Sequence, residues 1–172
     1  MTLRLVKPGT CTLVVDHGRP SCRSLGVPVG GAADRWSLAI GNGLVGNPPE
    51  TAALEICLAG PTLRANCELA CVLYGAAFPL TSDRQRLAAG ATFIMTRGEE
   101  IEIGAATRGM RAYFCVRGGV QAKTVLNSRS SLQPLSAGTE LPCSPGTIAH
   151  RRVHEDWTWD REPRLLRTLD GA

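Results

Sequence analysis

The chain has 172 residues, 44% apolar and 20% charged, enough for one well-buried core but not for several. No run approaches the ~20 consecutive apolar residues of a membrane span, and the scattered arginines, with only 5% aromatic residues, do not form a nucleic-acid footprint. The formal charge of +4 is carried almost wholly by arginine, with Lys7 and Lys123 the only lysines.

Met1 to Lys7 alternates apolar and polar side chains and then meets Pro8 and Gly9, which predicts an opening strand and turn rather than a secretory leader. A cytoplasmic location is expected. Short apolar runs follow at the spacing of an all-β domain, separated by Gly, Pro, Asn or Asp. Strands are predicted at 11–15, 54–58, 69–74, 92–96, 100–103 and 112–116. One segment departs from period two. In 34–45, Trp36, Ile40 and Leu44 recur four apart behind Asp34 as N-cap, which predicts a short helix ended by Gly46, Asn47 and Pro48. Gly41 and Gly43 weaken that helix intrinsically by about 1 kcal/mol each, so its stability must come from close packing. The phrases beginning Ala89-Gly90 and Ala137-Gly138 each read as a turn entering a strand, and Asp83-Arg84 as a hairpin turn.

Residues 1–160 are expected to form one domain. Charged residues then surround Trp157 and Trp159, and after Pro163 the alternation of 164–169 predicts a new strand that opens with three residues left. The chain is therefore expected to be the first half of a larger, mainly β subunit, with 161–172 the start of a second lobe or a tail.

Seven cysteines without a C-x-x-C pair fit neither a closed disulfide framework nor a zinc ribbon, and most sit in apolar strands as small hydrophobes. His150 and His154 lie four apart with two arginines between them and no nearby cysteine, which predicts a solvated segment rather than a metal site. No metal is expected.

The densest polar stretch is Asp16-His17-Gly18-Arg19, then Gly26-Val27-Pro28 and Gly30 to Asp34. Such glycines let backbone N–H groups face a ligand, while Asp16 and Asp34 can orient it or move protons and Arg19 can hold an anion. The structural alternative is that Asp16 caps a turn and pairs with Arg19.

The string Asp16-x-Gly18-Arg19, Gly26-Val27-Pro28, Gly31-Ala32-x-Asp34, Asn42, Val45-Gly46-Asn47, Leu54-Glu55 and Gly60-Pro61 resembles a carboxyltransferase family. That family includes the C subunit of 5-oxoprolinase, allophanate hydrolase subunit 2 and the carboxyltransferase region of urea carboxylase. Arg111-x-Tyr113-Phe114-Cys115-Val116-x-Gly118-Gly119 and Ser128-Arg129-Ser130-Ser131 resemble two later signatures in the same order. His17, Gly41 and Ala91 depart from the pattern. The resemblance implies a cyclophilin-like β-barrel with one short helix, one of two related lobes. It also implies a subunit of an ATP-dependent complex that opens the lactam 5-oxoproline to glutamate, with Asp16 and Asp34 catalytic and Arg19, Arg111 and Arg129 binding anions. Tyr113 is expected in the core with its hydroxyl satisfied.

Two alternatives remain open: a biotin-dependent carboxyltransferase acting on urea or a similar amide, and a non-catalytic regulator like the family's antagonists of a kinase inhibitor. The chain carries neither a G-x-x-x-x-G-K-[ST] phosphate loop nor a Met-Lys-Met biotin signature, so ATP or carboxybiotin is expected to arrive through partner subunits.

Overall fold

A computed structural model describes residues 1–153. The strand expected at 164–169, Trp157, Trp159 and His154 lie outside the described residues. Among the described residues ten strands, in chain order β1 (Thr2–Lys7), β2 (Cys11–Val15), β3 (Ala53–Cys57), β4 (Thr62–Ala65), β5 (Leu69–Ala77), β6 (Leu80–Ser82), β7 (Phe93–Met95), β8 (Glu100–Ile103), β9 (Arg108–Val116) and β10 (Glu140–Pro142), are joined by one α-helix, α1 (Arg35–Leu44). A short 3₁₀ helix covers Pro20–Leu25.

The expected mainly β fold is found. Its strands form two five-stranded antiparallel sheets, ordered β10-β1-β4-β8-β6 and β2-β3-β9-β5-β7, whose ladders do not close into one hydrogen-bonded cylinder. The two sheets enclose the main core. Leu3, Leu5, Leu63, Ile101 and Ile103 point inward from the first, and Val14, Leu54, Ile56, Leu73, Phe114 and Val116 from the second. Each such side chain fully buried contributes roughly 1.5–3 kcal/mol. On the outer face of the first sheet, Arg4 is paired in register with Glu140 and Arg64, and Arg64 with Glu100, so that face is charged.

The second sheet is buried on both sides. Its outer face carries Val15, Ala53, Val72, Tyr113 and Cys115, which pack against Leu38 and Val45 from α1 and its C-cap. This explains the continuous burial of Leu69 to Tyr74, where alternation alone could not separate a strand from a buried helix. No helix among the described residues is long and apolar enough to cross a membrane.

Asp34 caps α1 as expected, its carboxylate accepting from the Ser37 N–H at 3.0 Å. Beyond the helix, Asn42 donates to the carbonyls of Pro49 and Thr51, and Asn47 donates to Asn42 and to the Val116 carbonyl. These asparagines fasten the helix end to β9. The two helical glycines divide by position. A Cβ on Gly41 would stand 2.8 Å from Cys115 Sγ, whereas one on exposed Gly43 would meet nothing within 4 Å. Gly43→Ala should therefore raise stability by up to about 1 kcal/mol, and Gly41→Ala should lose that gain to the clash. Urea unfolding of the two variants checks this, and a Gly41→Ala variant as stable as Gly43→Ala would refute the close contact.

Candidate functional site

The residues singled out from the sequence fall into two groups. In the first, Asp16 follows β2 and clasps the distant loop 125–131. Its Oδ1 accepts from the Gly18 N–H at 2.7 Å, from Ser128 Oγ at 2.7 Å and from Ser130 Oγ at 2.6 Å, while Oδ2 accepts from the Arg129 N–H at 2.6 Å. Arg19 strengthens the clasp from the side, donating from Nε to the Val125 carbonyl and from a terminal nitrogen to the Ser130 carbonyl. Asp16 therefore caps a turn, but Arg19 pairs with carbonyls of the loop and not with Asp16. Leu126 and Asn127 both have positive φ, 50° and 61°, and form the tight turn that brings Ser128 to Ser130 back to Asp16.

Arg129 reaches Asp16 through its backbone, and its Nε is buried without a hydrogen-bond partner among the described residues, as is His17 Nε2. Gly18 and Gly31 allow the two strands of this loop to touch. A Cβ on Gly31 would lie 2.7 Å from the Gly18 nitrogen at φ +84°.

Burial raises the Asp16 pKa, but the bonds from Ser130, Ser128, Arg129 and Gly18 outweigh it and hold the carboxyl below its ordinary value of 3.8. Glu99 is the same kind of group. Burial opposes ionisation, yet Ser82, Thr96 and Gln85 bring it below its ordinary 4.5. A carboxyl depressed on folding stabilises the native state above its unfolded pKa, and that stability is lost as pH falls through the native value. Unfolding midpoints should accordingly be flat near neutrality and drop as pH falls below these ordinary values. In Asp16→Asn and Glu99→Gln the drop should be shallower, which a urea series at stepped pH measures; an unchanged slope in both would exclude these groups.

The second group lies on the helix side of the second sheet. Asp34 turns its carboxylate to Ser37, and its N–H donates to Tyr113 Oη at 2.7 Å. Tyr113 in turn donates to Glu55 Oε2 at 2.8 Å, which also accepts from the Ala33 N–H. Arg111 completes the chain as an ion pair, its Nε 3.4 Å from Glu55 Oε1. Tyr113 is fully buried with its hydroxyl satisfied, as expected. Burial, with Glu55 as its acceptor, pushes the phenol far above its ordinary value, so it stays a donor at every physiological pH.

Beside this network opens a cavity of about 540 Å³, lined by Ala33, Asp34, Ala76, Ala77, Arg108, Gly109, Met110 and Arg111. Asp34 and Arg111 are thus brought together, while Asp16, Arg19 and Arg129 form the neighbouring clasp. Two further residues of the site, Glu55 and Arg108, do not stand out for chemistry in the sequence. Glu55 does carry a signal: a lone acid inside the apolar run Ala52 to Leu58 must be buried with partners. Exposed Arg108 carries none. A further cavity of about 490 Å³ lies between Arg86, Phe93, Ile148 and His150. No three His, Cys, Asp or Glu side chains among the described residues gather as metal ligands.

The profile of a family described as carboxyltransferase domain, subdomain A and B, matches residues 25–169. Over 130 residues the chain is 33% identical to urea amidolyase of Saccharomyces cerevisiae, covering 75% of this chain and 7% of that protein. Over 129 residues it is 33% identical to the C subunit of 5-oxoprolinase from Escherichia coli, covering 75% of this chain and 42% of that one. The crystal structure of TTHA0988 superposes with a TM-score of 0.83 at 29% identity, over 90% of this chain and 33% of its own. The chain thus spans less than half of each of these proteins.

Proposed function

Since the chain belongs to the carboxyltransferase domain family, subdomain A and B, we propose that it serves an ATP-dependent 5-oxoprolinase complex that opens 5-oxoproline to glutamate, with the cavity beside the start of α1 receiving substrate. The observation that carries this reading is the pair of guanidiniums, Arg108 and Arg111, on a cavity that also holds Asp34. A lactam acid offers a carboxylate for the arginines and a ring N–H for an acceptor. Asp34 uses two of the roughly four acceptor positions of a carboxylate on Ser37 and keeps the others for that N–H or for the attacking water.

Arg19, Arg129 and Asp16 then take a supporting part, holding loop 125–131 against the turns that lead to Asp34. ATP and the other subunits activate the lactam carbonyl, whose developing negative charge the arginines favour. The similarity to the C subunit of 5-oxoprolinase supports the choice of substrate.

The second reading, carboxyl transfer from carboxybiotin to urea or a similar amide, is favoured by the equal identity to urea amidolyase. In that case the arginines bind the carboxyl being transferred. The two separate in one assay. The chain, co-expressed with its complex, is supplied with ATP and either 5-oxoproline or urea with bicarbonate. Glutamate release is the expected result, and urea carboxylation without glutamate release would replace the first reading by the second. Arg108→Ala should raise KM for 5-oxoproline about tenfold, the loss of one charge-assisted bond, with a smaller change in kcat. Arg108 is the better test because Arg111 also holds Glu55.

A further inference from the structure

We infer that Cys11 and Cys57 form a reactive dithiol that closes reversibly into a cross-strand disulfide, a modification site on the outer face of the second sheet. The two residues are direct partners in the β2–β3 ladder. Opposite residues on antiparallel strands have Cα atoms roughly 4.5–5.5 Å apart and side chains on the same face, within the roughly 4.4–6.8 Å a disulfide spans. Both thiols are free, and neither residue is fully buried. They are the only two cysteines among the described residues that face each other in a strand register.

The remaining thiols differ in place. Burial pushes Cys71 and Cys115 well up, and Cys143 up to about 12, which removes them from exchange near neutrality. Cys22 lies in the 3₁₀ helix and Cys67 in the turn before β5, neither on a strand. Location gives the pair its interest. Cys57 is also the register partner of Arg111, and Glu55 lies on the same face two residues earlier, so the dithiol adjoins the ion pair beside the cavity.

The oxidant is a small-molecule disulfide such as oxidised glutathione. One cysteine sulfur attacks it, forming a mixed disulfide and releasing one glutathione, which takes up a proton. The second attacks the protein sulfur of that mixed disulfide, forming Cys11–Cys57 and releasing the second glutathione. The protein loses two electrons and two protons, and the reagent gains them. The product ties β2, which leads directly to Asp16, to β3. The dithiol and its closure do not depend on which substrate the cavity receives.

The test is native exchange of the purified chain with oxidised glutathione, trapping of free thiols by alkylation, and peptide mapping by mass spectrometry. The expected result is a Cys11–Cys57 linked peptide as the main product, in a chain lighter by two hydrogens and restored by dithiothreitol. In Cys11→Ser, glutathione should remain on Cys57, and in Cys57→Ser on Cys11. Stable glutathione on both residues of the unaltered chain, a different link such as Cys67–Cys143, or two thiols left free would each overturn the assignment.

Discussion

Asp16→Ala is expected to destabilise the chain by roughly 2–4 kcal/mol, with Glu55→Ala one of the two largest losses among the polar side chains of the two networks. The carboxylate satisfies two serine hydroxyls and two backbone N–H groups. An alanine leaves all four without an acceptor, and because the clasp is only half-buried, water recovers part of the loss. Asp16→Asn should fall between, since its oxygen can still serve the serines while its NH₂ group opposes the Arg129 N–H. Urea unfolding gives the stability difference, and a second readout localises it. Arg129 lies in the clasped loop, so brief trypsin digestion should cut after Arg129 faster in Asp16→Ala than in the parent. A variant as stable as the parent, with unchanged cleavage, would show that the serines find other partners at no cost.

Glu55→Ala should cost about 3 kcal/mol for a different reason. Glu55 is 7% exposed and serves the Tyr113 hydroxyl, the Ala33 N–H and the Arg111 guanidinium at once. Its removal leaves the buried Tyr113 O–H and the Ala33 N–H without an acceptor and the Arg111 charge without its counter-ion. Glu55→Gln retains an acceptor but not the charge, and should lose less. The decisive measurement is a double-mutant cycle with Tyr113→Phe, where a coupling of about 1–2 kcal/mol is expected between residues sharing one network. Additive effects would mean that the short contact between Tyr113 and Glu55 contributes nothing beyond packing. The start of α1 should loosen as well, because the hydroxyl of Tyr113 is the acceptor for Asp34 N–H.

Much of the fold is legible in the sequence because its signals are local. The alternation of Met1 to Lys7 and Asp34 as N-cap each report on neighbours within a strand or a turn, whereas the spacing of Trp36, Ile40 and Leu44 finds the helix but not its packed face, which is Ser37, Leu38, Gly41 and Asn42, with Trp36 69% exposed. What escapes is short or dependent on distant partners. β4 and β6 carry a single leucine each and no second large apolar residue, so no alternation marks them, whereas the equally short β8 alternates Glu and Ile and is legible; the 3₁₀ helix begins at a proline. The site divides in the same way. Asp16 and Ser128 are each conspicuous as polar residues among glycines or serines, but nothing in a linear reading says that residues 112 apart are bonded. Arg19 reads as an anion binder from its type, whereas its hydrogen bonds go to two carbonyls. Asn42 and Asn47 belong to the resembling string and hold the helix end in place.

The separation between Asp16 and its serines also bears on time. A contact that joins residues 112 and 114 positions apart closes a long loop, whose entropy cost must be met before the contact stabilises anything. A clasp formed after the transition state is the expected result, so Asp16→Ala should leave the refolding rate nearly untouched and speed unfolding, which stopped-flow kinetics in urea measures; a refolding rate slowed in proportion to the lost stability would place the clasp in the nucleus. On that outcome the clasp is less a nucleus than a bolt drawn last, setting how long the assembled sheets stay together once formed.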